Sequence, residues 1–389
     1  MNTRILELIG LAVVLAAVVG LLTWAPAPAA VQAQAIVTAW GEPDLQGIWT
    51  DPYTTPLERP ARFADQDVFT DAERAALDEQ RSAHPRRDAR EGVGTDRDVR
   101  GAYNAVYMSI KPTGPRTSLI VDPPDGRIPP LTAEAEARTT AQREFRLALL
   151  QATATCRDDE PACAGWQYGP PSPLRAERSP YYNTARLNRN DGPEDRSLSE
   201  RCMGAGLPDF GGYRRIVQSP GAVSIFYDVG QGQGWQRTIP VTDRPHIPST
   251  VRQWRGDSRG RWEGATLVVD VANFGAKTDV RGSRENLRLV ERWTRLDAET
   301  LEYIVTVEDP TTWTRSWTVR QELILQDGQA NRIYTEPRCH EGNYGLPAQL
   351  VGSRVEEQAF AEGRGPDPAT RDTATGGGDT GGADPLTGR

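Results

Sequence analysis

Residues 287–308 read LRLVERWTRLDAETLEYIVTVE. Leu287, Leu289, Glu291 and Trp293 alternate with Arg288, Val290 and Arg292; Leu301, Tyr303 and Val305 alternate with Glu302 and Ile304. A period of two marks a strand with one face turned to a core. Asp297 to Thr300 leaves room only for a turn, so the pair folds back as a hairpin. The same composition extends outward. Val223 to Val229, Gln236 to Val241 and Ala265 to Val271 precede the pair; Trp317 to Leu325 and Arg332 to Glu336 follow it. Glu263-Gly264 and Asp327-Gly328 are turn signals between them. Strands in series without crossover helices make an antiparallel meander. A meander this long hides its edges by closing into a barrel or packing as a sandwich. The expected fold is mainly β.

The N-terminal half is sparser. Gly (37) and Pro (30) are abundant in the chain, which favours turns and loops. Asp44 to Thr50 and Thr117 to Val121 read as short strands. Thr70 with Glu73 is a capping box that opens a helix to Arg81. Thr132 caps a second helix over Ala133 to Leu150. The organisation expected is a leader over 1–35, one β-rich domain over 36–362 with its meander in 213–352, and a disordered Gly/Asp-rich tail over 363–389. Gly47-Ile48-Trp49 resembles the G-x-W of the first lipocalin strand. That resemblance implies a lipocalin-like barrel, fronted by a loop-rich half with two short helices.

The first 35 residues have the order of an export signal: Arg4, an apolar run from Leu8 to Trp24, then Ala33-Gln34-Ala35 as a small-residue cleavage site. The run is also close to the length of a spanning helix, so an uncleaved N-terminal anchor stays open as the only expected membrane contact. The net charge is -8, and only Lys111 and Lys277 are lysines. An acidic chain with dispersed arginines has no footprint for nucleic acid. Oxidation suits an exported chain, and its four cysteines allow three pairings. Cys156 with Cys163 is the local choice, which leaves Cys202 with Cys339. Zinc is the competing use, but the spacings lack C-x-x-C pairs.

Several blocks together resemble a family of uncharacterised exported proteins of soil and marine bacteria. They are Arg116 to Thr132 (RTSLIVDPPDGRIPPLT), Glu200-Arg201-Cys202, Gly256 to Phe274 (GDSRGRWEGATLVVDVANF), Val307 to Trp317 and Cys339 to Leu346 (CHEGNYGL). The resemblance spans most of residues 44 to 352 and implies export and one continuous domain. Members more often carry Asp at the position of Ala265, and some carry histidines after the central block that this chain lacks.

The candidate chemistry centres on few residues. Histidine titrates near neutral pH, and the chain has three. His340, beside Glu341, is the first choice for acid–base work. His246 lies between Pro245 and Pro248 in a stiff loop; both histidines have a plain alternative as hydrogen-bonded loop residues. His84 sits in a charged loop and is solvated. Asp270, Glu291, Glu308 and Asp309 lie in or beside strands. A carboxylate inside an apolar barrel has a raised pKa and can act as an acid. The plain alternative has Asp270 and Asp309 bonding backbone at turns, with Glu291 facing an arginine across strands. Trp254, Trp262, Trp293, Trp313 and Trp317, with Tyr344, are candidates to line a pocket or to fill the core. No G-x-S-x-G, P-loop, dinucleotide fingerprint or H-E-x-x-H occurs, and no cofactor or metal is expected.

Two functions follow from these expectations. One is an exported lipocalin-like protein that binds a small, largely apolar molecule. The other is a cofactor-independent lyase, isomerase, hydratase or hydrolase on the same barrel, using His340 and an acidic partner. A structural envelope protein tethered by the tail is the third and weakest.

Overall fold

A computed structural model describes residues 36–82, 111–152, 156–157, 168–176, 206–211, 213–230, 233–276, 278–326 and 345–365. Nine strands follow one another around a nearly closed antiparallel barrel. They are β1 (Gly47–Thr50), β3 (Tyr213–Ser219), β4 (Ala222–Gly230), β5 (Gln233–Pro240), β6 (Asp257–Glu263), β7 (Thr266–Ala272), β8 (Arg288–Arg295), β9 (Thr300–Glu308) and β10 (Trp317–Leu325). The first strand closes on the last: Trp49 pairs with Leu325, and β1 pairs with β3 on its other side. β1 is too short to cover β10. The remaining edge is taken by β2 (Ile120–Asp122), with Ile120 opposite Val319.

The quoted hairpin sets the register. Trp293 stands opposite Tyr303 and Glu291 opposite Val305. Period-two alternation sends Leu289, Glu291 and Trp293 inward from β8, and Leu301, Tyr303, Val305 and Val307 inward from β9; all are buried. They join one hydrophobic core with Trp49, Ile216, Ile225, Leu267, Val319 and their neighbours. The outer faces of β7 to β10 carry cross-strand ion pairs, among them Arg288–Asp270 at 2.7 Å and Arg320–Glu302 at 2.7 Å.

β5 and β6 end the sheet and face each other. Among the described residues they meet in one parallel bridge, between Val241, just past β5, and Gly260, where the Thr242 N–H donates to the Gly260 carbonyl at 2.9 Å. This follows from counting. In a ring of strictly alternating strands an odd total leaves one like-directed pair, and that pair lies at this seam. Gly260 permits the approach: a Cβ there would meet an Ile239 methyl at 3.0 Å.

Three helices are described: α1 (Asp71–Ser82), α2 (Ala133–Leu150) and α3 (Gly345–Ala361). The capping box forms as read, with the Thr70 N–H donating to Glu73 and the Glu73 N–H to Thr70 Oγ1. Thr132 Oγ1 accepts from the Ala135 N–H at 3.2 Å. α2 spans the residues read as a helix, Ala133 to Leu150, and α3 was not anticipated because Gly345 and Pro347 open it. β3 and β6 also went unread. The strand expected at Arg332 to Glu336, the leader and most of the tail lie outside the described residues. No described helix is long and apolar enough to cross a membrane.

Candidate functional site

The barrel interior is not purely apolar. The alternation that buries Trp235 and Ile239 on β5 also buries Arg237, and on β3 it buries Arg214 beside Ile216. Tyr227 enters from β4, Glu291 from β8, Tyr303 from β9 and Gln321 from β10. Arg237 Nη2 meets Glu291 Oε2 at 2.5 Å, and the Tyr303 hydroxyl donates to Glu291 Oε1 at 2.8 Å. Gln321 Nε2 donates to Asp51 Oδ2 at 2.7 Å and to the Phe210 carbonyl at 2.9 Å. Arg214 links the two groups. Its Nη2 donates to the Asp209 carbonyl, and its Cζ lies 5.9 Å from the Tyr227 ring centre and 5.8 Å from that of Tyr303. A buried polar chain therefore runs from Asp51 through the core to Arg237 at the seam.

Burial dominates the proton affinities here. It pushes the Tyr303 and Tyr227 phenols up; at Tyr303 the Glu291 charge adds to it. It raises the Asp209 carboxyl, with Arg214 and the Gly211 amide pulling the other way. Burial lowers the Lys111 ammonium; Asp51 opposes that and Arg214 reinforces it. For Arg237 burial works against the charge, but Glu291, Tyr227 and Tyr303 together more than offset it and the affinity rises. Tyr227, Tyr303 and Arg237 are thereby each held in one charge state near neutral pH, which suits a scaffold more than a proton relay.

Where β5 and β6 part, a groove of about 440 Å³ opens. Trp235 and Arg237 line it from β5, Trp254 and Arg255 from the approach to β6, and Asp257 and Ser258 from β6 itself; Arg252 and Arg259 add two more cations. Trp235 is stacked between partners. Tyr227 lies on it at 4.3 Å, nearly parallel, which leaves the other face to the Arg255 guanidinium, 4.1 Å from the ring centre. Burial lowers the Arg255 pKa to about 10. Several buried donors on the groove-lining residues have no hydrogen-bond partner among the described residues: Trp235 Nε1, Arg237 Nε and Nη1, and Ser258 Oγ.

Of the residues anticipated to bind ligand, Trp254 lines this groove. Trp293, Trp313 and Trp317 are buried in the core, where Trp293 packs on Tyr303 and Trp313 meets Trp317 edge-on; Trp262 packs against the same core. Tyr344, His340 and Glu341 fall outside the described residues, as do Cys163, Cys202 and Cys339; Cys156 is buried. His246 and Asp270 are brought together. His246 Nδ1 lies 2.8 Å from Asp257 Oδ2, and Nε2 lies 3.6 Å from Asp270 Oδ1. Asp270 is on the outer face of β7, not in the barrel. Its two oxygens take both arms of Arg288, at 3.1 and 2.7 Å. Burial favours its neutral form, but Arg288 and His246 outweigh burial and hold it below the usual carboxylate range, opposite to an acid catalyst. Glu291 does face an arginine, but Arg237 reaches it across the barrel and not from a neighbouring strand. Asp309 bonds its own turn.

Trp235 and Arg237 were not singled out from the sequence. The signal was present: in Trp235-Gln236-Arg237-Thr238-Ile239, period two places Arg237 on the face of two large apolar residues. No protein-family model matches the chain, and no curated protein matches it. No group of three or more His, Cys, Asp or Glu side chains that could hold a metal occurs among the described residues.

Proposed function

We propose that the protein binds a small molecule with an apolar body, carried at the β5–β6 seam of a lipocalin-like barrel. The observation that carries this reading is the groove: about 440 Å³, within the size range of small-molecule sites, with Trp235 and Trp254 in its wall. The interior itself is filled by side chains, so the seam replaces the hollow lumen as the place for a ligand. Acid–base chemistry has less support. Both ring nitrogens of His246 face carboxylates, and Asp270 is held by Arg288. The leader-like composition of residues 1–35 adds the proposal that the carrier works outside the cytoplasm, with oxidised cysteines.

Native mass spectrometry of the full chain purified from its own cell envelope tests this. The expected result is a discrete added mass, released on denaturation and diminished in Trp254→Ala. A wild-type spectrum with no added mass, before and after incubation with a small-molecule extract of the same cells, would count against a carrier.

A further inference from the structure

We propose that the molecule held at the seam is an organic anion: a planar, aromatic carboxylate whose ring lies along the flat side chains of the groove wall and whose carboxylate takes the donors of its lining residues. This rests on the small-molecule reading above and adds the ligand's class.

Three observations converge on it. The first is charge. The groove is lined by Arg237, Arg252, Arg255 and Arg259, with Asp257 as the one carboxylate of the lining and Glu291 paired to Arg237 behind it, in a chain whose net charge is -8. Asp257 is moreover already engaged. Its Oδ2 meets His246 Nδ1 at 2.8 Å and the Ile247 N–H at 3.2 Å, and its Oδ1 meets Arg259 at 2.8 Å. The groove therefore offers its surroundings positive charge.

The second is the sign of the unpartnered groups. Trp235 Nε1, Arg237 Nε and Arg237 Nη1 are donors only, and Ser258 Oγ can donate. All three residues are more than nine-tenths buried. Glu291 takes only Nη2 of Arg237. Buried donors without acceptors are costly, and a site that gathers several of them is completed by an acceptor-rich partner. A hydrocarbon cannot accept from this set, and an alcohol brings one uncharged oxygen with two lone pairs to four unpartnered groups. A carboxylate, with two oxygens and about four lone-pair sites, can.

The third is shape. Tyr227, Trp235 and the Arg255 guanidinium form a stack of flat groups at 4.3 and 4.1 Å spacing, with Trp235 and Arg255 in the groove wall. Arginine over an aromatic ring is itself a favoured surface for a planar anion, since it combines stacking with charge.

The test uses the full-length protein and two probes of one shape, 2-naphthoate and the neutral 2-naphthylmethanol, followed by calorimetry and tryptophan fluorescence. The expected result is naphthoate binding about tenfold or more tighter than the alcohol, with affinity falling as salt is raised. Ser258→Ala and Arg255→Gln should each weaken naphthoate by roughly five- to tenfold while changing alcohol binding less than about twofold. Thermal melts of both variants confirm that they fold. Equal binding of the two probes, or losses in the variants that do not depend on the carboxylate, overturns the anion and leaves the carrier standing. Binding of neither probe overturns both.

Discussion

Glu291 has no solvent exposure, and Arg237 and Tyr303 are its only polar contacts among the described residues. A buried pair of this kind is worth little against an apolar replacement, yet removing one partner strands the other charge in the core. Glu291→Leu is therefore expected to cost about 3–5 kcal/mol. Arg237→Met with Glu291→Leu should recover most of that loss while abolishing anion binding at the seam. Denaturant unfolding of the wild type, both singles and the double variant closes the cycle. If the double variant is no more stable than Glu291→Leu alone, the cost is lost shape and not stranded charge. The sequence carried half of this residue-scale picture. Period two in Leu289-Val290-Glu291-Arg292-Trp293 puts a carboxylate on the inward face, beside Trp293. What no local pattern encodes is the partner. Arg237 is 54 residues away and reaches Glu291 only because the barrel brings β5 opposite β8.

The turn from β9 to β10 depends on one carboxylate. Asp309 Oδ1 accepts from the Thr311 N–H at 2.8 Å and its hydroxyl at 2.7 Å; Oδ2 accepts from Ser283 at 2.6 Å and Thr312 at 2.7 Å. The turn then anchors α2, since the Thr132 N–H donates to the Thr312 carbonyl at 3.0 Å. Burial opposes the Asp309 charge, but the hydrogen bonds from Ser283, Thr311 and Thr312 outweigh it, and the carboxyl sits below its ordinary 3.8. A depressed folded pKa means stability that is complete above the unfolded value and lost as pH falls through the folded one. Asp309→Ala should therefore cost about 2–4 kcal/mol at neutral pH. Its melting temperature should converge toward that of the wild type as pH drops below 3.8. A gap that stays constant down to pH values below the folded pKa would mean that packing, not ionisation, sets the cost. At this scale the sequence was legible wherever the inward face is apolar, as in β7 to β10, and wherever a helix carries its cap. β3 and β6 escaped for a physical reason. Their inward positions include Arg214, Gln218, Ser258 and Gly260, so they bury polar or minimal side chains and show no apolar alternation.

The order of strands around the whole molecule is the order of the chain, with the first closing on the last. Sequence reasoning reached the meander and the barrel but not the seam, because the seam is a property of the strand count and not of any segment. Nine alternating strands leave one like-directed pair, and β5 and β6 hold together there through one bridge at Val241 and Gly260. The remainder of that edge is where the groove opens, so the defect in closure and the candidate binding site are the same feature. Two consequences can be measured together. Backbone amides along the free edges of β5 and β6 should exchange with solvent faster than those in the middle of β8 and β9, which are paired on both sides. Gly260→Val should widen the difference. Its added side chain would press on Ile239, Leu267 and the Pro240 carbonyl, at 3.0, 3.3 and 3.5 Å from a Cβ, prying the seam open at a cost of about 1–3 kcal/mol. A ligand seated in the groove bridges β5 to β6 and should slow exchange along both edges in the wild type. In Gly260→Val, where the two walls no longer meet, the same ligand should protect one edge at most. Uniform exchange around the barrel, or equal protection of both edges in the variant, would show that the seam is already sealed and that closure and binding are separate properties of the molecule.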